Sequence, residues 1–171
     1  SELAKEMFLK LCDWGCDVTG PLTDEEMERM CGQEFGGMNE VYADAYQMTG
    51  DTKYLNVARR FAHRWLLDSM AKGVDNLDNK HANTQVPKVV GHARTAEMYQ
   101  LAGDADQAAY YQKASEFFWE TVVNTRSLAF GGNGRREHFA SADDCKSYVD
   151  DREGPESCNT NNRSSGSSNE N

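Results

Sequence analysis

One short pattern occurs twice in this chain. Tyr46-Gln47-Met48-Thr49-Gly50-Asp51 returns as Tyr99-Gln100-Leu101-Ala102-Gly103-Asp104, an offset of 53 residues. In each copy the Gly suits the C-terminal cap of one helix, because it adopts a left-handed conformation at little steric cost. The Asp that follows suits the N-cap of the next, where its carboxylate accepts an otherwise unpaired backbone N–H. The pattern therefore predicts a helix, a tight turn and a second helix, used at least twice. Aromatic residues follow each copy, at Arg60-Phe61 with Trp65 and at Phe117-Phe118-Trp119, and are expected to pack inward. Such a hairpin cannot bury its apolar face alone and needs neighbours on both sides. Two unrelated turns built from the same cap chemistry would give the same match, so the repeat alone leaves that alternative open.

The rest of the chain reads the same way. Only three prolines, Pro21, Pro87 and Pro155, interrupt it. Residues 3–14 place Leu3, Met7, Leu11 and Trp14 on one stripe at helical spacing. Thr23-Asp24-Glu25-Glu26 forms a capping box ahead of Met27 and Met30. From Asn39, Val41, Tyr42, Ala45, Tyr46 and Met48 recur at helical spacing until Gly50. Asp51 then starts a helix expected to carry Tyr54, Leu55, Ala58, Phe61, Ala62, Trp65 and Leu66. Two more helices are expected at 87–102 and 105–124. Strand signal is weak throughout, so the expected fold class is all-α, built from consecutive antiparallel helical hairpins. The period is longer than the roughly 34 residues of a tetratricopeptide unit and suits a hairpin of an (α/α) toroid.

After Asn124 the character changes, to a flexible loop at Gly131-Gly132-Asn133-Gly134 and then an acidic stretch with Asp143, Asp144, Asp150, Asp151 and Glu153. Residues 159–171 contain no apolar side chain, too little to offset the entropy of ordering, and are expected to form a disordered polar tail after a domain spanning 1–158.

Composition excludes some function classes. Eighteen Lys and Arg against 28 Asp and Glu give a net charge of −10, the wrong sign for a nucleic-acid surface. No run has the length and apolarity of a membrane span. No signal peptide is visible, and the chain opens already in helical pattern, so its compartment stays open. The five cysteines, Cys12, Cys16, Cys31, Cys145 and Cys158, do not form a dense disulfide framework.

Three clusters carry chemistry. In Glu34-Phe35-Gly36-Gly37-Met38-Asn39-Glu40, two glycines at a helix entry permit close backbone approach, and Asn39 and Glu40 present polar groups in the first turn. A solvated helix start explains the same residues. In His81-Ala82-Asn83-Thr84-Gln85-Val86-Pro87, with His92 beyond, the hydrogen-bonding side chains suit the rim of a polyol-binding cleft. A plain polar loop is the alternative, and His92 alone equally suits a core or capping role. The third cluster joins Gly131 through Phe139 to Glu153-Gly154-Pro155-Glu156-Ser157-Cys158-Asn159-Thr160. A Glu beside a Gly-rich loop with Arg and His neighbours can be tuned for proton transfer. Glu156 and Cys158 offer an oxygen and a sulfur to one cation, a mixture that zinc accepts, though Glu-x-Cys is a weak metal signature by itself.

The segments GQEFGGMNEVYADAYQMTGDTKYL, KHANTQVPKVVG, FFWETVVNTRSLAFGGNGRREHF and REGPESCNT resemble the β-L-arabinofuranosidase glycoside hydrolases of family 127 and the related family 146. The resemblance runs in order from about Leu3 to Asn162. It implies part of an (α/α)6 toroid and a carbohydrate substrate carrying arabinofuranose. It also implies a retaining reaction in which Glu137 is the general acid/base. Glu156 and Cys158 are then two zinc ligands, and Asn39, Glu40, His81, Asn83, Gln85 and His92 line the sugar pocket. In the family a later cysteine pair completes the zinc site and supplies the nucleophile.

Here ESCNT-Asn161-Asn162 is followed by Arg163-Ser164-Ser165-Gly166-Ser167-Ser168 where the family continues into an apolar helix. The expectation is therefore a glycosidase fragment with an incomplete zinc site, inactive alone, with apolar helix faces left open to self-association. Two other readings remain at this stage: a non-catalytic helical module that binds glycans or a protein, and another toroid enzyme such as a lyase or uronyl hydrolase.

Overall fold

The structure is a computed structural model that describes residues 1–33, 35–129 and 131–144. Among these residues the chain forms seven helices: α1 (Glu2–Thr19), α2 (Asp24–Cys31), α3 (Met38–Thr49), α4 (Thr52–Arg60), α5 (Arg64–Ala71), α6 (Ala82–Leu101) and α7 (Ala105–Thr125). No strand accompanies them among the described residues, only two isolated bridges that involve His138. The expected boundary at residue 158 and the expected tail lie outside the described residues.

The repeated caps do what their chemistry predicts. Gly50 and Gly103 both take left-handed conformations, with φ of 69° and 80°. The Asp51 carboxylate accepts from Lys53 N and that of Asp104 from Gln107 N. Thr23 and Glu26 form the reciprocal capping box. The resulting hairpins lie side by side: α3 packs on α4 and α6, and α7 packs on α6 and α5. Tyr46 and Tyr99, the matching residues of the two copies, are both buried.

Three features depart from the sequence expectation. The helix expected from Asp51 through Leu66 is broken between Arg60 and Arg64. Contacts from elsewhere hold the break open: the Ala62 carbonyl lies 2.6 Å from His92 Nε2, and the Phe61 ring stacks on Tyr42 with centroids 5.8 Å apart. His63 there has a φ of 51°.

The second departure is the start of α6, at Ala82 rather than 87. His81 caps it, and Pro87 lies inside the helix, where its missing N–H forgoes one bond of the helical ladder. The polar motif 81–87 is thus the first turns of a helix and not a loop.

The third concerns the tryptophans expected inside. Trp65 is 37% exposed and Trp119 61%, while their neighbours Phe61 and Phe118 are buried. Phe118 meets Phe139 edge-on at 6.3 Å, and the next residue on the helix necessarily points elsewhere. The α1 stripe of Leu3, Met7, Leu11 and Trp14 also faces outward; Cys12, Gly15 and Thr19 take the buried face.

Candidate functional site

The N-terminal end of α6 and the segment after α7 meet in a short antiparallel ladder. Asn79 N donates to Phe139 O, Phe139 N to Lys80 O, and Ala82 N to Glu137 O, at 3.0, 2.9 and 2.7 Å. Arg135 and His138 exchange both backbone hydrogen bonds, at 2.7 and 3.0 Å, which closes a two-residue turn at Arg136-Glu137. Both turn residues have positive φ, 49° and 65°. Turns of this kind favour Asn and Gly at both central positions, so the chain places two ordinary side chains where they are strained. The two-residue turn places Glu137 at its tip.

There the Glu137 carboxylate is 62% exposed, and its Oε2 lies 3.2 Å from His81 Nε2. His81 is the N-cap of α6; its Nδ1 lies 2.7 Å from Thr84 Oγ1 and accepts from Thr84 N. The His138 ring meets the His81 ring edge-on at 5.3 Å. A carboxylate and an imidazole are thus held together at the positive end of a helix dipole, an arrangement able to hold and move a proton.

The chain matches the family described as Beta-L-arabinofuranosidase, GH127 catalytic domain, over residues 1–168. The protein belongs to this family. Its hairpin stack is part of the (α/α)6 toroid of the GH127 catalytic domain, and the family is one of glycoside hydrolases, with carbohydrate as the substrate class. No curated protein matches the chain. No helix among the described residues is long and apolar enough to cross a membrane.

Of the residues expected to bind sugar in a GH127 protein, His81, Asn83 and Gln85 all fall at the N-cap and first turns of α6, and His81 lies against Glu137. Gln85 is buried, and its Oε1 has no hydrogen-bond partner among the described residues. Glu40 is half-buried in the first turn of α3. Asn39 and His92 lie elsewhere, fully buried. Asn39 Nδ2 donates to Lys88 O at 2.8 Å, joining α3 to α6. His92 lies against Ala62 O, and burial pushes its imidazole down to about 4, so it stays neutral.

The expected zinc ligands Glu156 and Cys158 lie outside the described residues, as does Cys145. Among the described residues no group of three or more His, Cys, Asp or Glu is arranged to hold a metal ion. Cys12 and Cys31 are free and buried, and desolvation pushes both thiols up to about 11, away from the thiolate form that binds metals or attacks carbon.

Sequence reasoning missed two buried cations. Lys88 is 0% exposed, and its ammonium donates to Cys31 O and His63 Nδ1, each at 2.9 Å, over the face of Phe35. Desolvation lowers it to about 8, and the same cause takes His63 down to about 4. Its spacing on α6, seven after His81 and four before His92, put it on a stripe with those residues and was a legible signal. Arg126, at the end of α7, gave none.

Proposed function

We propose that the protein carries the acid/base half of a retaining β-L-arabinofuranosidase site acting on plant-type arabinose glycans, with Glu137 as general acid/base. The observation that supports this reading is the Glu137 carboxylate at the tip of a strained turn, 3.2 Å from His81 Nε2. Glu137 in its acid form gives its proton to the leaving glycosidic oxygen, and as carboxylate later takes one from the attacking water. His81, oriented through Thr84, fixes the carboxylate and the direction in which its proton points. Asn83 and Gln85 on the same helix turns are suited to the hydroxyls of a furanose ring, with Gln85 Oε1 free to accept from one of them. Glu40, half-buried in the first turn of α3, is the polar group that helix would contribute.

Glu156 and Cys158 would hold zinc, whose chemistry in such a site is to keep a thiolate deprotonated and oriented. None of the described cysteines is prepared to act as a nucleophile, so the isolated chain is expected to hydrolyse aryl β-L-arabinofuranosides at background rate.

A binding role is favoured by a separate observation. The α1 stripe is exposed, and a groove of about 350 Å³ between α6 and α7 is lined by Val86, Val89, Val90, Phe118 and Trp119. We assign these faces to self-association of the chain.

The test of the catalytic reading is Glu137→Gln in a protein that joins this sequence to the later cysteine pair of the family. A loss of about 100- to 10,000-fold is expected with a poor leaving group and a much smaller one with an activated aryl group. An equal loss for both substrates would remove Glu137 from the acid role.

A further inference from the structure

We propose that Arg126 is a positioning residue for Glu137, acting as the clasp that closes the ladder on which Glu137 is presented. The proposal rests on the acid/base reading of Glu137 for its catalytic consequence, but not for its geometry.

The Glu137 turn is strained, and a strained turn persists only where its surroundings over-determine it. Its ladder runs through Ala82 with Glu137, His81 with His138, and Asn79 and Lys80 with Phe139. The next rung would pair Asp78 with Ala140, and Arg126 occupies that place. Its guanidinium is 2% exposed and donates to Asp78 Oδ1 at 2.6 Å, to Asp75 Oδ2 at 2.7 and 3.0 Å, and to the Ala140 carbonyl. One planar fork therefore ties both segments of the ladder together at the end away from the turn. Ser141 Oγ adds a bond to Asp78 Oδ2 at 3.0 Å, and Phe139 packs its buried ring on Phe118.

The fork geometry matters more than the charge. A guanidinium offers donors in several fixed directions, whereas an ammonium is a compact point charge on a flexible stem. Releasing the clasp frees the 138–141 segment to slide or lift, and Glu137 then leaves His81. Proton transfer is sensitive to displacements of an ångström.

The test uses Arg126→Met, which keeps the apolar stem, Arg126→Lys, which keeps the charge, and Asp78→Asn. Amide hydrogen exchange is followed in this chain at Asn79, Ala82 and Phe139, the ladder donors, against Val41 and Phe61 in and after the α3–α4 hairpin. The expected result is exchange at the ladder amides rising at least about tenfold more than at the reference amides in Arg126→Met, with no rescue by Arg126→Lys. Asp78→Asn, altered at an exposed carboxylate, should show the same selectivity if Arg126→Met fails to fold. In a protein that joins this sequence to the later cysteine pair of the family, Arg126→Met should lower kcat about a hundredfold for a poor leaving group, with KM changed less than about threefold and a smaller loss for an activated one. Exchange that rises equally at all sites, or full rescue by Lys, would overturn the proposal, as would selective exchange without loss of kcat. If Glu137→Gln leaves hydrolysis unchanged, the acid reading fails, and the exchange pattern still decides whether Arg126 holds the turn.

Discussion

The side-chain amide of Asn39 sits in the notch that Gly91 leaves in α6. A Cβ on Gly91 would collide with the Asn39 carboxamide, and the same amide donates to Lys88 O one turn earlier. This contact sets how closely α3 and α6 approach. Gly91→Ala should therefore destabilise the fold by about 1–3 kcal/mol through overpacking, although it improves helix propensity. Urea unfolding checks this. In the background of Asn39→Ala the same substitution should cost clearly less, because the two side chains compete for one space.

Arg136 offers the opposite effect. Its φ of 49° suits glycine, and its side chain is exposed. Arg136→Gly should stabilise the chain by roughly 1 kcal/mol through relief of backbone strain, partly offset by the greater freedom of glycine when unfolded. A β-branched residue at the same place, Arg136→Val, should destabilise it. Thermal melts of the two variants should move in opposite directions.

Stability should fall on mild acidification. Burial holds the His63 and His92 imidazoles down to about 4, against about 6.5 for an unfolded histidine. Between those two values the unfolded chain binds more protons than the folded one, so stability rises with pH across the window and is lost as pH falls from 6.5 to 4. Each histidine contributes on the order of 3 kcal/mol to that loss. His63→Asn tolerates the left-handed backbone and should flatten the slope by about half, measured by denaturant titration at several pH values.

Self-association should be visible through α1. Leu3, Met7, Leu11 and Trp14 are each more than half exposed, a larger apolar ridge than isolated surface residues make. Sedimentation should show concentration-dependent assembly and binding of an apolar dye. Leu11→Lys with Trp14→Lys should shift the population toward monomer without loss of helical content. A monodisperse monomer at high concentration for the unaltered chain would contradict the assignment.

The sequence by itself determined what depends on neighbours a few residues apart. Gly50 and Asp51, Gly103 and Asp104, and Thr23 with Glu26 decide where helices stop and start, because capping bonds span no more than about four residues. The family motifs likewise located Glu137 and His81, but as separate segments. Their meeting, 56 residues apart in the chain, was left to the tertiary structure, as were the break between α4 and α5, the burial of Lys88 and Arg126, and the outward turn of the α1 stripe. Each of these depends on which elements come into contact. A local pattern shows that a helix has an apolar face or that a cation is present. Only packing decides which apolar face finds a partner, and which charge loses its water and must be held by groups from distant parts of the chain.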